Sequence, residues 1–296
     1  MKICWYTQEQ GAQAQLGAVV DGRVYDVSAA LQALPPARYP AAPGDLLLAN
    51  LDLVRVAINQ LLPGAASIPV ERARFLSPVA NPGKIIGVPV NYADHVAEAN
   101  ADQATFTDRY KGEVRQQGLF LKAASSLVGP SEGVTLRFPQ RLSHHEMELG
   151  VVIGKTAANV SVEEALDYVA GYAIALDMTV RGPEDRSLRK SVDSYAVLGP
   201  WLVTADEAGD AEKLDIRLAV NGEVRQQANT AEMIIGLAEQ IAWASSYYTL
   251  YPGDIIMSGT CAGVGQVLPG DVMECDIAGI GAMRVAVRAA ADPAQD

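Results

Sequence analysis

Glu146 and Glu148 stand one residue apart in the run His145-Glu146-Met147-Glu148-Leu149-Gly150-Val151-Val152-Ile153. The residues after them are apolar and β-branched, which predicts a strand. Successive side chains of a strand point to opposite faces, so the two carboxylates share one face. Met147, Leu149, Val151 and Ile153 line the other. Two carboxylates side by side on so apolar a strand repel each other and resist desolvation. A bound cation neutralises them most simply; a hydrated polar face on an edge strand is the alternative. A second apolar strand, 169–176, ends in Asp177. That position suits a site residue, and it suits a turn former equally. Together Glu146, Glu148 and Asp177 make an all-oxygen set, which favours Mg²⁺, Mn²⁺ or Ca²⁺ over zinc or copper.

Other residues can do chemistry beside such a cation. His95 and Glu98 follow a short strand at 84–88, and their spacing puts them on one face of a helix that Asn91 can cap, with Asp94 as its third residue. A carboxylate beside an imidazole orients it, as a general base acting on water requires. A surface histidine with a solvated partner shows the same spacing. Lys190 lies in Arg186-Ser187-Leu188-Arg189-Lys190-Ser191. Near a metal it can stabilise an oxyanion or grip a carboxylate; elsewhere it belongs to a solvated loop. In Ser258-Gly259-Thr260-Cys261-Ala262-Gly263, Gly259 lets the backbone approach a ligand, and Thr260 offers a hydroxyl and an N–H. Glycine-rich turns also serve merely as turns. Residues 106–118 are polar and aperiodic, a lid by position or an ordinary surface loop.

The elements that must position these residues are mostly strands. Asp21-Gly22 and Asn221-Gly222 each sit between strand-like runs and predict hairpins. Pro252-Gly253-Asp254 and Pro269-Gly270-Asp271 suit type II turns. Helices are expected over about 45–61, after a capping box at Ser161-Val162-Glu163-Glu164, and from Asn229 or Thr230 onward, where Met233, Ile234, Leu237 and Ile241 have helical spacing. Residues 77–83 read as a linker, which divides the chain into a small N-terminal domain, 1–76, and a catalytic domain, 77–296. The fold class is a β-rich α+β one. A chain of 296 residues with 49% hydrophobic content can bury a sizeable core. Its net charge of −12 disfavours nucleic acid. No run approaches the roughly 18 apolar residues of a membrane helix. No signal segment opens the chain, and its three cysteines form no CxxC, which points to free thiols in a reducing cytoplasm.

Four segments, taken in order, resemble one family. They are His144-His145-Glu146-Met147-Glu148-Leu149-Gly150-Val151-Val152-Ile153-Gly154-Lys155, then 169–177, then Leu198-Gly199-Pro200-Trp201-Leu202-Val203-Thr204, then Tyr251-Pro252-Gly253-Asp254-Ile255-Ile256-Met257-Ser258-Gly259-Thr260. They resemble the fumarylacetoacetate hydrolase family from about Asn81 to about Val287. The resemblance implies a mixed β-roll or sandwich behind a small leading domain, and a homodimer. It implies that Glu146, Glu148 and Asp177 bind the metal, that His95 and Glu98 form a catalytic dyad, and that Lys190 is catalytic. Tyr92, Arg181, Gly259 and Thr260 then contact substrate, as does Glu184, where many relatives carry Gln. Relatives usually carry Pro where Cys261 stands.

The implied reaction is hydrolysis of a carbon–carbon bond in a small β-diketo acid of the acylpyruvate or fumarylpyruvate type, as in aromatic catabolism. The alternative is isomerisation, tautomerisation or decarboxylation of a 2-oxo acid such as oxaloacetate or an oxo-heptadienedioate on the same site. Two other classes fare worse. A two-histidine iron site fails because His144 and His145 are adjacent and point to opposite faces of a strand. A binding protein without activity has no use for both the carboxylates and the dyad.

Overall fold

The computed structural model describes residues 1–101 and 114–290. Its largest sheet has twelve strands, with the residues of interest near its middle. The strand after Glu146 runs Met147–Ile153 and pairs antiparallel with Val169–Asp177, Met147 opposite Leu176 and Glu148 opposite Ala175. Val169–Asp177 pairs on its far side with Ala196–Thr204. Met147–Ile153 pairs on its own far side with Ile255–Met257, which runs parallel to Ile85–Gly87. Ile85–Gly87 then pairs with Phe120–Lys122. Two of these strands lead into further site segments, Ile85–Gly87 toward the helix Ala93–Ala101 and Ile255–Met257 into the 258–265 loop.

All of Met147–Ile153 is buried, on both faces. Met147, Leu149, Val151 and Ile153 pack into one core with Leu218, Met273 and Val285. Those three belong to a second sheet of five strands, built on the hairpin Asp215–Val220 and Glu223–Asn229. Val152 faces the other way, into a core with Ala173, Ala175, Leu198 and the helix residues Val54 and Ile58. Two covered faces explain why the strand reads as a continuous apolar run after Glu148 rather than an alternating one. The edge-strand alternative for the carboxylates is thereby removed.

The first 76 residues supply strands Lys2–Thr7, Gln15–Val20, Arg23–Asp26 and Ser67–Pro69, which extend the main sheet beyond Ala196–Thr204. The expected helix over 45–61 is two pieces, Leu46–Ala49 and Leu51–Leu61. Both hairpins form, with positive φ at Asp21, Gly22, Asn221 and Gly222. The Glu164 N–H donates to the Ser161 hydroxyl as in a capping box, but the Glu164 carboxylate accepts from that hydroxyl rather than from the Ser161 backbone, and the helix that follows is the 3₁₀ turn Ala165–Tyr168. The third expected helix is also displaced. Asn229 and Glu232 cap a 3₁₀ turn, and the α-helix begins later, as Leu237–Tyr247. Most of the expected lid lies outside the described residues; its end forms the short helix Val114–Gln117.

Asp45 ties the leading segment to the rest. One carboxylate oxygen accepts the Leu47 and Leu48 N–H groups at 2.9 and 3.1 Å, and the other accepts the Asn81 N–H at 3.0 Å. Asp45→Ala should therefore cost about 2 kcal/mol of stability, as loss of a buried cap does. Urea denaturation should show this, with Mn²⁺ affinity unchanged; a variant with wild-type stability would refute the tie.

Candidate active site

One carboxylate oxygen from each of Glu146, Glu148 and Asp177 lies within 4.8 Å of the others, and all three residues are buried. Strand pairing makes this possible. Asp177 ends its strand opposite Glu146, the residue just before the neighbouring one, and the Asp177 N–H donates to the Glu146 carbonyl at 2.8 Å. Lys190 Nζ donates to Glu146 Oε2 and Asp177 Oδ2, each at 2.6 Å. Arg181 Nη2 and the Thr179 hydroxyl donate to Glu146 Oε1 at 3.1 and 3.2 Å. Lys122, fully buried, donates to Asp177 Oδ1 and to the Tyr195 carbonyl.

These contacts divide the carboxylates electrostatically. Burial alone would push Glu146 up, but the fields of Lys190, Arg181 and His95 bring it well below the usual carboxylate range. Glu148 goes the other way. Burial raises it, and the charges of Asp177 and Glu146 raise it further, against Lys190 and a 2.8 Å hydrogen bond from the Gly259 N–H. Burial also lowers Lys122, against the pull of Asp177. The donor set fits a hard divalent cation, because it is all oxygen, convergent, and short of positive charge at Glu148.

His95 is buried on the helix Ala93–Ala101, and its Nδ1 lies 2.8 Å from Glu98 Oε2. Glu98 Oε1 accepts the Gly263 N–H at 3.0 Å. An ionised Glu98 makes Nδ1 the donor, which leaves Nε2 as the basic nitrogen. His95, Lys190, Arg181 and Thr260 line one cleft with the three carboxylates. Of the other residues expected to meet substrate, Gly259 spends its N–H on Glu148. Tyr92 is buried and paired with Met233, and is not among the residues that line the cleft. The Glu184 carboxylate takes two bonds from Arg141, at 3.0 and 2.7 Å.

Asn91 does not cap the helix. Its amide bonds the backbone of Ile235 and Ser258, 144 and 167 residues away. Partners that distant leave no local signal. One further residue escaped the sequence reading. Gln226 is a polar residue in a hairpin strand, yet it is buried and all four of its hydrogen bonds are made. Its carbonyl accepts His145 Nδ1 and the Met147 N–H, each at 3.0 Å. Its amide donates to the Thr260 hydroxyl at 2.7 Å and to the Cys261 carbonyl at 2.9 Å. The Thr260 hydroxyl itself donates to the Met147 carbonyl. A run of polar residues in an otherwise alternating hairpin strand is the signal that could have found Gln226. His144, by contrast, accepts from Arg181 Nε, so the two histidines serve different neighbours.

Two outcomes should follow. Gln226→Leu leaves the Met147 N–H and the Thr260 loop without their shared partner, and should weaken Mn²⁺ binding about tenfold, the worth of one lost buried hydrogen bond. Calorimetric titration measures this; unchanged affinity would reduce Gln226 to packing. Glu148 must shed its proton before it can bind a cation, so apparent Mn²⁺ affinity should climb with pH through that raised pKa. Titrations in buffers of differing protonation enthalpy should detect the released proton.

Comparison with known proteins places the chain. The family model described as fumarylacetoacetate (FAA) hydrolase C-terminal matches residues 84–288. The maleylpyruvate hydrolase of Aquipseudomonas alcaligenes is 50% identical over 290 residues, covering 97% of this chain and 99% of that one. A mitochondrial oxaloacetate tautomerase of Rattus norvegicus is 36% identical over 243 residues, 78% of this chain and 74% of that one. Among solved structures, maleylpyruvate hydrolase from Sphingobium sp. SYK-6, in complex with manganese(II) and pyruvate, superposes with a TM-score of 0.81 at 38% identity, covering 98% of this chain and 99% of that one. With its buried acidic triad and its sheet-rich α+β fold, the chain belongs to the fumarylacetoacetate hydrolase family.

Proposed function

We propose that this chain is a divalent-metal-dependent hydrolase that splits a carbon–carbon bond of an acylpyruvate, with maleylpyruvate as its substrate. The observation that carries this is that His95, bonded to Glu98, lines the same cleft as Glu146, Glu148 and Asp177. The 50% identity to a maleylpyruvate hydrolase supports the substrate. Glu146, Glu148 and Asp177 would hold the cation, Mn²⁺ or Mg²⁺, which supplies Lewis-acid charge to the oxygens of the pyruvoyl end.

His95 Nε2 takes a proton from water, and Glu98 holds the imidazole in the tautomer that can accept it. The resulting hydroxide adds to the carbonyl farther from the pyruvoyl carboxylate. The bond between that carbon and the methylene then breaks. Its electron pair passes to the pyruvoyl fragment as an enolate, which a proton converts to pyruvate, while the acyl fragment leaves as a carboxylic acid. Lys190 and Arg181 offset the negative charge that grows as this happens. Tautomerisation needs only the enol half of this sequence and no activated water, so the dyad favours hydrolysis. Every residue given a role lies in 77–296, which we assign as the catalytic domain. The family resemblance supports a homodimer. Three free, buried cysteines support a cytoplasmic setting.

Purified protein with Mn²⁺ should convert maleylpyruvate to pyruvate, and EDTA should stop it. His95→Ala should lower kcat about 10²- to 10⁴-fold, the usual worth of a positioned general base, with a much smaller effect on Mn²⁺ affinity. A variant within about twofold of wild type would remove His95 from the chemistry.

A further inference from the structure

Arg181 reaches Glu146 from residues 181–185, which link the strand Thr179–Val180 to the helix Arg186–Lys190 and belong to neither. Thr179–Val180 pairs antiparallel with Ser143–His145, Ser143 opposite Val180. The pairing runs one bond further, from the Arg181 N–H to the Leu142 carbonyl at 2.8 Å. The next donor is a side chain. Arg141 Nε and Nη2 donate to the Arg181 carbonyl at 3.1 and 2.8 Å, while the Arg141 backbone N–H turns away to the Phe138 carbonyl. Both backbone polar groups of Arg181 are thereby tied to the segment that leads into Glu146.

The same guanidinium makes a fork with Glu184, Nη1 to Oε1 at 3.0 Å and Nη2 to Oε2 at 2.7 Å. Its carbon lies 5.7 Å from the centroid of the Phe138 ring. A planar guanidinium held by four such bonds and an aromatic face has little freedom left. The strap crosses Gly182 and depends on it. A Cβ there would fall 1.9 Å from Arg141 Nη2 and 2.5 Å from Glu184 Oε2, so one methyl group would part the pair.

Arg141 is not among the residues that line the cleft, whereas Arg181 and Gly182 are. Its influence on a ligand passes through them. Arg181 Nη2 donates to Glu146 Oε1 at 3.1 Å, and its Nε donates to His144 Nδ1 at 3.2 Å. Holding a long side chain in one pose costs rotamer entropy, and a backbone fixed beforehand leaves less to lose. We infer that Arg141 is a positioning residue: with Glu184 it straps the Arg181 backbone across Gly182, and so aims the Arg181 guanidinium at Glu146. This rests on the charge-offsetting role given to Arg181 above, and the test separates the two.

The test is a double-mutant cycle read as kcat/KM for maleylpyruvate in Mn²⁺-loaded wild type, Arg141→Met, Arg181→Met and the double variant. Gly182→Ala breaks the strap a second way and keeps every charge. Arg141→Met should lower kcat/KM about 10- to 100-fold, the worth of a bond to a charged group, and mainly through kcat, because the charge that Arg181 offsets grows during the reaction. Gly182→Ala should also lower it, again mainly through kcat. In the Arg181→Met background, Arg141→Met should change it by less than about threefold, because the side chain it aims is gone. A strap that merely stabilises the fold costs the same factor in both backgrounds. That result, or a wild-type kcat/KM in Arg141→Met or Gly182→Ala, overturns the inference and leaves hydrolysis standing. A wild-type kcat/KM in Arg181→Met overturns the role of Arg181 and the strap with it. A wild type that leaves maleylpyruvate intact overturns the hydrolase reading beneath both.

Discussion

Three buried carboxylates within 4.8 Å of one another set the terms for the structure around them. A buried charge that loses its partner costs about 3–5 kcal/mol, a large share of the 5–15 kcal/mol that holds a typical domain together. Such a cluster persists only where compensating groups are built in. Lys190, Lys122, Arg181, the Thr179 hydroxyl and the Gly259 N–H are those groups, and they arrive on four different stretches of chain. Compensation is also uneven. Two carboxylates share a lysine, while Glu148 has a single backbone donor and a raised pKa. The unevenness creates a site that gains most from a divalent ion and competes with protons for it.

The sheet order solves the problem of bringing these groups together. Asp177 ends one of two adjacent antiparallel strands and Glu146 immediately precedes the other, so their proximity follows from that pairing. The next strand out, Ile255–Met257, delivers the 258–265 loop, which bonds both the acidic cluster and the carboxylate partner of His95. Its Gly259 N–H meets Glu148, and its Gly263 N–H meets Glu98. Both glycines have positive φ, and a Cβ at Gly263 would fall 1.9 Å from the Arg225 carbonyl oxygen. The loop therefore reaches both carboxylates only because no side chain intervenes. Gln226 closes the arrangement by bonding this loop to the backbone on which Glu146 and Glu148 sit.

What could be read from the residues alone was whatever depends on local period. Alternation put Glu146 and Glu148 on one face, helical spacing joined His95 to Glu98, and Asp-Gly and Asn-Gly gave the hairpins. Those features are decided within a few residues of chain. What escaped is decided by partners far off. Gln226 meets His145 and Met147 across 81 and 79 residues, and Asn91 leaves its helix for Ile235 and Ser258. The misplaced helix start near 230 is intermediate: the cap signals were genuine, but they closed a 3₁₀ turn. The division at residue 76 was drawn from a proline- and glycine-bearing stretch, a signal that says nothing of how strands on either side pair.

That pairing has a consequence for synthesis. Lys2 and Ile3 lie opposite Val203 and Leu202. On a ribosome adding about 5–20 residues per second, the first strand emerges on the order of ten to forty seconds before that neighbour exists. Gln15–Val20 and Phe75 can cover part of it in the meantime. The rest of its edge waits through the production of Glu146, Glu148, Asp177 and Lys190. The nascent chain thus carries an open strand edge for most of its birth, and Glu146, Glu148, Asp177 and Lys190 are all synthesised before the leading segment can lock onto the sheet that surrounds them.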